Sequence, residues 1–259
     1  MAPKEKQRKR AQLTDLVLEF LEAAMHQFLY VWKIYPQGAT VANGVGGHAY
    51  HDLVRAATES FTRRVIYDVP VYMSRHPQLC EYIHSMLVGC RQWILDGELE
   101  KLQIVLLSKS GAIVGRFSIE MGWNCLLIQP SVVVSAASSV SWDETDEPLP
   151  LVTIAEEFRA AMVALTATPV TYGYQYHSES KTPESFRLLA YTTDDVSRPG
   201  TVVNEKAPAN SWIYADRYWY DDDTQEERKE NEDMRGLLPV KSIQNETFPF
   251  RMQLYMEEQ

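Results

Sequence analysis

One long apolar stretch, Leu13–Tyr35, constrains the fold of this chain more than any other segment. Its main apolar stripe has helical spacing, and further apolar residues widen it almost round the helix; the stripe is Leu13, Leu16, Val17, Phe20, Leu21, Ala24, Phe28 and Val31. A helix that is apolar on nearly every face is a buried helix. Pro36 ends the segment, because the residue before a proline is pushed out of the α region. Polar residues interrupt the stretch too often for a membrane span: Glu19, Glu22, His26 and Lys33. We therefore predict a central helix on which the rest of the chain packs.

The composition argues against nucleic-acid binding and against disulfide bonds. The net charge is −10, whereas proteins that grip phosphates do so with patches of Lys and Arg. Cys80, Cys90 and Cys125 are an odd number and contain no CxxC pair, which favours reduced thiols in a reducing compartment. The N-terminus lacks the apolar core of a secretion signal. Residues 4–10 are basic, which is typical of a nuclear import signal or of a solubilising tail.

Hydrophobic periodicity predicts two more helices and a small antiparallel sheet. The helices are expected at His76–Leu95, which Asp96-Gly97 terminates, and at Leu151–Thr168, which Pro169 closes. A short surface helix is expected at Leu53–Arg64. Strands are expected at Ile66–Met73, Leu99–Ser108, Ala112–Met121 and Phe186–Thr192, and the alternating run from Phe250 to Met256 predicts a last, half-buried strand. The pattern is that of an α+β protein.

The chain carries no recognisable catalytic or metal-binding motif. Glu156 and Glu157 are adjacent carboxylates, and adjacent side chains on a helix do not face one another, so we interpret them as solvated surface. The run Asp221–Asp223 lacks the further ligands and spacing of a calcium loop. Nucleophile-elbow, zinc-protease and dinucleotide-binding motifs do not occur. We therefore predict a non-catalytic interaction module without cofactor or metal.

Six stretches of the chain are spread along it nearly from end to end. In order, they are DLVLEFLEAAMHQFLYVWKIYP, YDVPVYMSRHPQLCEYI, LEKLQIVLLSK, SWIYAD, GLLPVKSI and MQLYMEE. Their ordered combination resembles the HORMA-domain family and, within it, the accessory subunits of translesion DNA polymerase zeta. The resemblance implies an α+β HORMA fold, with three helices packed on a three-stranded antiparallel sheet. It also implies a mobile C-terminal segment, the seat belt, that wraps over a bound peptide and can take open and closed arrangements.

The resemblance also implies a domain organisation. Residues 1–12 are expected to form a basic disordered arm, and residues 13–259 a single HORMA domain. Within that domain the core covers about 13–192 and the seat belt about 193–259. Three segments are expected to be insertions relative to the family, at about 39–65, 129–150 and 217–235.

Two aromatic residues match the family positions that hold the partner peptide, Tyr82 on the second predicted helix and Trp212 at the start of the seat belt. The implied peptide contains proline, comes from the catalytic subunit of polymerase zeta, and adds a strand to the sheet edge. Aromatic rings suit this task because they give rigid apolar faces at a low entropy cost. The alternative interpretation is that Trp212 pins the seat belt as an ordinary core residue and that Tyr82 is half covered by it.

Two further surfaces follow from the resemblance. Leu237, Gln253 and Tyr255 match positions that present a surface to the C-terminal domain of the Y-family scaffold polymerase; alternatively, Leu237 is a core residue and Tyr255 an exposed aromatic. Arg159 matches an arginine in a contact between two HORMA domains, in a homodimer or with another HORMA protein. Its alternative role is an exposed helix arginine paired with Glu156.

The expected function is that of a nuclear, non-catalytic adaptor that bridges the two polymerases in DNA damage tolerance. A spindle-checkpoint or meiotic HORMA adaptor is the alternative with the same fold, and an enzyme is the alternative from another class. An AAA+ remodeller is a further partner that the resemblance implies. Neither membrane nor direct nucleic-acid binding is expected.

Overall fold

Three helices lie on one face of an antiparallel sheet in the computed structural model, which describes residues 3–33, 60–123, 149–171, 183–193 and 236–258. The helices are α1 (Pro3–Val31), α2 (Pro77–Asp96) and α3 (Leu151–Thr171). The strands are β1 (Phe61–Ile66), β2 (Val69–Ser74), β3 (Leu99–Leu107), β4 (Ile113–Trp123), β5 (Ser185–Thr192), β6 (Leu237–Ile243) and β7 (Phe250–Glu258).

The predicted central helix is confirmed. Phe20 and Phe28 of α1 are completely buried. The Phe20 ring stacks on Phe158 of α3, with ring centroids 4.1 Å apart. The Phe28 ring stacks on Phe117 of β4, with centroids 4.3 Å apart. The same helix therefore packs against another helix on one side and against the sheet on the other.

The ends of α1 differ from the prediction. The helix begins at Pro3, so residues 3–12, which we expected to be disordered, continue it. Lys, Glu, Gln and Arg are good helix formers. Lys9 in this segment is buried, with only 9% of its surface exposed. At the other end the helix stops at Val31, before the predicted Tyr35. Lys33 has a φ of 53°, a left-handed conformation that no helix can continue.

The main sheet has five strands in the order β5-β3-β4-β7-β6, and every described neighbouring pair is antiparallel. The three strands that we expected are present as β5-β3-β4, but the sheet has two strands more than expected. The C-terminal segment adds two strands to it, because β7 pairs with β4 along its whole length. The apolar alternation from Phe250 to Met256 points into the core as predicted, and Met252, Leu254 and Met256 are at most 2% exposed.

The segment before α2 is a β-hairpin. We expected a surface helix at Leu53–Arg64; of its described residues, Ser60 is helical, whereas residues 61–64 lie in β1, which pairs with β2. The expected strand Ile66–Met73 is divided by a turn at Tyr67 and Asp68, which both have positive φ. Two successive residues with positive φ are the mark of a tight hairpin turn, and β-branched and aromatic residues on either side favour strands. Residues 61–65 of the expected insertion therefore belong to an ordered hairpin.

The other two helices follow the sequence closely. Gly97 ends α2 with a φ of 74° and donates its N–H to the end of the helix, as the Asp96-Gly97 pair predicted. Pro169 does not close α3, which continues to Thr171. Proline cannot donate to the carbonyl four residues earlier, and the helix ends two residues after Pro169. The side chain of Gln27 on α1 joins the layers, because it accepts the Tyr72 N–H of β2 and donates to Thr166 of α3.

Candidate functional site

One edge of the five-stranded sheet is open in the described part of the chain. There β5 pairs with β3 alone. The C-terminal strands β6 and β7 lie at the opposite edge. An edge strand presents a row of unpaired N–H and C=O groups that a further strand can pair with. The β5 edge is therefore the place where the sheet can accept an extended peptide.

Tyr82 of α2 lies at this edge. Its ring meets the ring of Phe186 on β5 edge-on, with centroids 6.0 Å apart. The backbone N–H of Leu188 donates a hydrogen bond to the Tyr82 hydroxyl. Burial raises the pKa of the Tyr82 phenol, whereas the Leu188 N–H and the charge of Arg187 act in the opposite direction. The phenol is therefore neutral at physiological pH, and its own proton is available to a carbonyl of an incoming peptide.

The Leu188 bond identifies which backbone groups of β5 point outward. Successive residues of an antiparallel strand direct their N–H and C=O groups to opposite sides. The Leu188 N–H points away from β3, so those of Phe186 and Ala190 point the same way. The side of β5 that faces away from β3 thus carries the backbone N–H groups of Phe186, Leu188 and Ala190, and Tyr82 contacts this side at Leu188.

Trp212, the second residue predicted to hold the peptide, lies outside the described residues. The same applies to Cys125, to the run Asp221–Asp223 and to most of the seat belt before residue 236. The structure therefore brings Tyr82 to the β5 edge, and the role of Trp212 stays a prediction.

Leu237, Gln253 and Tyr255 lie together on the β6–β7 hairpin. Met252, Leu254 and Met256 of β7 face the core, so Gln253 and Tyr255 between them point to the other side of the sheet. The register pairs Leu237 with Glu257 and Pro239 with Tyr255, which brings Leu237 to the same side, two residues along. We call this side, away from the helices, the outer face. Leu237 is 59% exposed, so it is not a core residue.

A hydrogen bond holds Tyr255 in place on the outer face. Its hydroxyl donates to the Glu120 carboxylate over 2.6 Å, and Ser118 lies directly opposite Tyr255 in the β4–β7 register. Burial raises the pKa of Tyr255, and the bond to Glu120 raises it further. Ser118, Glu120 and Pro239 were not predicted as part of this surface. The alternation of β4, in which Ser118 and Glu120 alternate with the buried Phe117 and Ile119, was the available signal.

Arg159 is exposed on α3, away from the sheet. It lies in an exposed stripe with Val152, Glu156 and Val163, and the two valines are 75% and 52% exposed. Glu157, the neighbour of Glu156 on this helix, forms an ion pair with Lys241 on β6, with Glu157 Oε2 3.0 Å from Lys241 Nζ. The helix thus presents a continuous apolar and charged surface.

Comparison with known proteins gives both sequence and structural relatives, although no protein-family model matches the chain. The mitotic spindle assembly checkpoint protein MAD2B of Danio rerio is 27% identical over 247 residues, which are 95% of this chain and 90% of that protein. The DNA polymerase zeta processivity subunit of Arabidopsis thaliana is 29% identical over 101 residues, 39% of this chain and 37% of that protein.

Among solved structures, a chain in the crystal structure of the mitotic checkpoint complex matches with a TM-score of 0.60 and 17% identity, over 96% of this chain and 99% of that one. The structure of C. elegans HTP-2 bound to the HIM-3 closure motif matches with a TM-score of 0.56 and 7% identity, over 96% and 91% of the two chains. The chain has the HORMA fold, and it resembles the accessory subunit of DNA polymerase zeta.

The described residues were also searched for metal ligands, membrane-spanning helices and cysteine pairs. Within the described ranges no three His, Cys, Asp or Glu side chains are grouped so that they could hold a metal ion. No helix there is both long enough and apolar enough to cross a membrane. The Cys80 thiol on α2 donates a hydrogen bond to the Ser74 carbonyl over 3.1 Å, and Cys90 on the same helix is buried. The names of the relatives indicate no enzymatic family.

Proposed function

We propose that this protein is the peptide-clasping accessory subunit of translesion DNA polymerase zeta, and that it bridges the catalytic subunit to the Y-family scaffold polymerase. The observation that carries the proposal is the open β5 edge with Tyr82 beside it, on a HORMA fold. The end-to-end similarity to MAD2B and the match to a polymerase zeta processivity subunit support the choice of partner.

The peptide of the catalytic subunit would pair with β5 as an added strand. Tyr82 contributes a ring face and a hydroxyl proton, and Trp212 would close over the peptide from the seat belt. Proline suits such an edge, because it lacks an N–H and an edge peptide needs only one of its two sides for pairing. A belt that wraps the peptide must move before the peptide leaves, so tight binding would result from slow dissociation.

The two partners would occupy different parts of the sheet at the same time. The peptide edge is β5, whereas Leu237, Gln253 and Tyr255 lie on β6 and β7, three and four strands away. Neighbouring strands are about 4.8 Å apart, so the two surfaces are separated by roughly 14 Å or more. This separation favours a bridging role over competition between the partners.

The test is to reconstitute the complex from purified proteins. A labelled proline-containing peptide of the catalytic subunit and the C-terminal domain of the scaffold polymerase would be titrated separately and then together. We expect a complex of all three components in sizing chromatography with light scattering. Failure of a folded protein to bind the peptide would overturn the proposal.

A spindle-checkpoint or meiotic HORMA adaptor is the second candidate. The observation in its favour is that the structural matches come from a mitotic checkpoint complex and from HTP-2 bound to a closure motif. Pull-down with peptides from the three systems distinguishes the candidates, because each function requires a different preferred peptide.

The remaining parts of the proposal concern the setting of this adaptor. We propose a nuclear location, which the DNA polymerase zeta name of a relative supports. We also propose that the protein has no catalytic activity of its own and that an AAA+ remodeller opens the clasped form. Imaging of the tagged protein tests the first point, and ATP-dependent release of a clasped peptide by the remodeller tests the last.

A further inference from the structure

The side chain of Arg251 passes over a glycine of the neighbouring strand on the outer face of the sheet. Phe250 and Met252 on either side of Arg251 are buried in the core, so Arg251 itself points to the outer face. Its partner in the β4–β7 register is Gly122. A Cβ atom at Gly122 would lie only 2.3 Å from Arg251 Nε and 2.8 Å from Arg251 Cγ. The arginine therefore occupies space that only a glycine leaves open.

Arg251 lines two adjoining hollows of this face, with volumes of about 580 and 340 Å³. The larger one is also lined by Lys101 of β3, whose ammonium lies 4.3 Å from the centre of the Tyr191 ring. Trp123 lines both hollows, and its indole Nε1 donates to the Leu99 carbonyl over 2.7 Å. The larger hollow thus combines two cationic side chains with two aromatic rings that hydrogen bonds hold in place.

The guanidinium of Arg251 has no ion-pair partner among the residues that the structure describes. Glu246 lines the smaller hollow without pairing with it there, and the Glu120 carboxylate in the larger hollow accepts the Tyr255 hydroxyl instead. A guanidinium presents its N–H donors in a planar fork, which matches the two oxygens of a carboxylate. Arg251 can therefore bind a carboxylate that a partner supplies.

Arg251 continues the surface formed by Leu237, Gln253 and Tyr255. It lies two residues before Gln253 on the same face of β7, so their Cα atoms are about 7 Å apart. A stable interface involves roughly 20 to 30 residues on each side, far more than these three. A partner of ordinary size that covers Gln253 and Tyr255 therefore also reaches Arg251.

We infer that Arg251, in the space that Gly122 leaves, binds an Asp or Glu side chain of the scaffold polymerase domain and so determines how that domain sits on the sheet. This rests on the proposed function of the surface formed by Leu237, Gln253 and Tyr255. The whole chain has a net charge of −10, so most of its surface repels an acidic group, whereas the hollow with Lys101 and Arg251 attracts one. Such a local contrast of charge fixes the register of a complex.

A double-mutant cycle tests the Gly122–Arg251 arrangement. The purified C-terminal domain of the scaffold polymerase would be titrated in a calorimeter into the wild type, Arg251→Ala, Gly122→Ala and the double variant. We expect Arg251→Ala to weaken binding by about tenfold or more, the effect of losing hydrogen bonds to a charged group. Gly122→Ala should also weaken binding, because its methyl group displaces the arginine. In the Arg251→Ala background it should have no further effect.

Equal effects of Gly122→Ala in the two backgrounds would overturn this role of the glycine, and unchanged affinity of Arg251→Ala would overturn the inference. The matched control is Lys109→Ala, which removes an exposed cation from the turn between β3 and β4, at the other end of β4, and should leave binding unchanged. Arg251→Glu should weaken binding further than Arg251→Ala. Changing one acidic residue of the scaffold domain to lysine should restore it, and rescue by none of these changes would overturn the inferred carboxylate.

The wild-type titration distinguishes failure of this inference from failure of the proposed function. If the wild-type protein does not bind the scaffold domain, the scaffold function is wrong, and the role of Arg251 is wrong with it. If the wild type binds and Arg251→Ala binds equally well, the scaffold function stands and only the role of Arg251 is wrong. Binding of the labelled peptide at β5, three strands away from β7, should be the same in every variant and shows that each one is folded.

Discussion

At the scale of single residues, the two tyrosines at the candidate surfaces differ in how their hydroxyls are used. The Tyr82 hydroxyl accepts the Leu188 N–H and still has its proton to donate. The Tyr255 hydroxyl already uses its proton in the hydrogen bond that it donates to Glu120. A partner at β5 can therefore use both the ring and the hydroxyl of Tyr82, whereas a partner at β7 meets an apolar ring.

Substitution of the two tyrosines should separate the two binding activities. We expect Tyr82→Ala to weaken peptide binding by about 2 kcal/mol, roughly 30-fold, as is usual for an interface hot spot. Tyr82→Phe keeps the ring and should cost about 1 kcal/mol, the value of one hydrogen bond. Tyr255→Ala should weaken scaffold binding and leave peptide binding intact, which makes each variant the control for the other. Fluorescence titrations with thermal melts measure these effects, and equal loss of both activities would indicate unfolding instead.

His26 gives the stability of the fold a pH dependence. It is 1% exposed on α1, and its Nδ1 accepts the Ser74 N–H over 3.4 Å. Burial lowers the pKa of His26 from 6.5 to about 4, and the charge of Arg64 adds to the effect. Between pH 4 and 6.5 the unfolded chain therefore binds more protons than the folded chain. The stability that comes from burying His26 in its neutral form is complete above pH 6.5 and is lost as the pH falls towards 4.

We expect the free energy of unfolding to fall over this range by on the order of 3 kcal/mol through His26. His26→Gln keeps an acceptor for the Ser74 N–H and cannot be protonated, so it should flatten the profile. His84→Gln is the comparison variant, at a histidine on α2 whose side chain is 67% exposed and whose Nδ1 lies 3.9 Å from Glu22 Oε1. Urea unfolding at pH 7, 5.5 and 4.5 measures the difference, and parallel profiles for wild type and His26→Gln would contradict the assignment.

At the scale of elements, the sequence predicted those whose pattern is local. Gly97 ends α2 and the alternation from Phe250 to Met256 orients β7, because a cap and a period of two are properties of neighbouring residues. The pairing of β7 with β4 was not predictable in this way. It joins residues far apart in the chain and depends on which edge of the sheet the C-terminal segment reaches. The same holds for Tyr82, whose helix the sequence predicted but whose bond to Leu188 it did not.

The exposed stripe of α3 has a symmetry that suits self-association. Glu156 and Arg159 lie at equal distances from the midpoint of the stripe, and so do Val152 and Val163 further out. Two antiparallel copies of this helix would place Glu156 against Arg159 of the other copy at two places, with the valines in contact outside them. An interface of this kind is self-complementary, as a two-fold dimer requires.

Charge substitutions on α3 test this arrangement. We expect Arg159→Ala to shift a dimer to a monomer, and Arg159→Glu to do so more completely because it places like charges together. The double variant Glu156→Arg with Arg159→Glu exchanges the two charges and should restore the dimer. Light scattering after size exclusion gives the mass over a range of concentrations. A constant monomer mass for the wild type would mean that Arg159 is an ordinary exposed helix residue. Its pairing with Glu156 would then stabilise the helix by only a few tenths of a kcal/mol.

At the scale of the whole molecule, the proposed peptide clasp combines groups from distant parts of the chain. Tyr82 lies on α2 at the β5 edge, and Trp212 belongs to the C-terminal segment that also supplies β6 and β7. We expect Trp212→Ala to speed peptide dissociation by tenfold or more, about 1.4 kcal/mol or more, with little change in association, because a clasp acts mainly on release. Stopped-flow displacement of a labelled peptide measures the rate. A lower melting temperature with unchanged dissociation would instead identify Trp212 as a core residue.

The position of β7 between β4 and β6 makes one strand a reporter for the whole segment. Successive N–H groups of β4 point alternately towards β3 and towards β7. If the C-terminal segment leaves the sheet, the amides of β4 that face β7 lose their partners, whereas those that face β3 keep theirs. Hydrogen exchange would then show fast and slow amides in alternation along β4, and uniform exchange would mean that the segment stays in place. The occupancy of the clasped arrangement could thus be followed in the free protein, from amides within the core and without any bound partner.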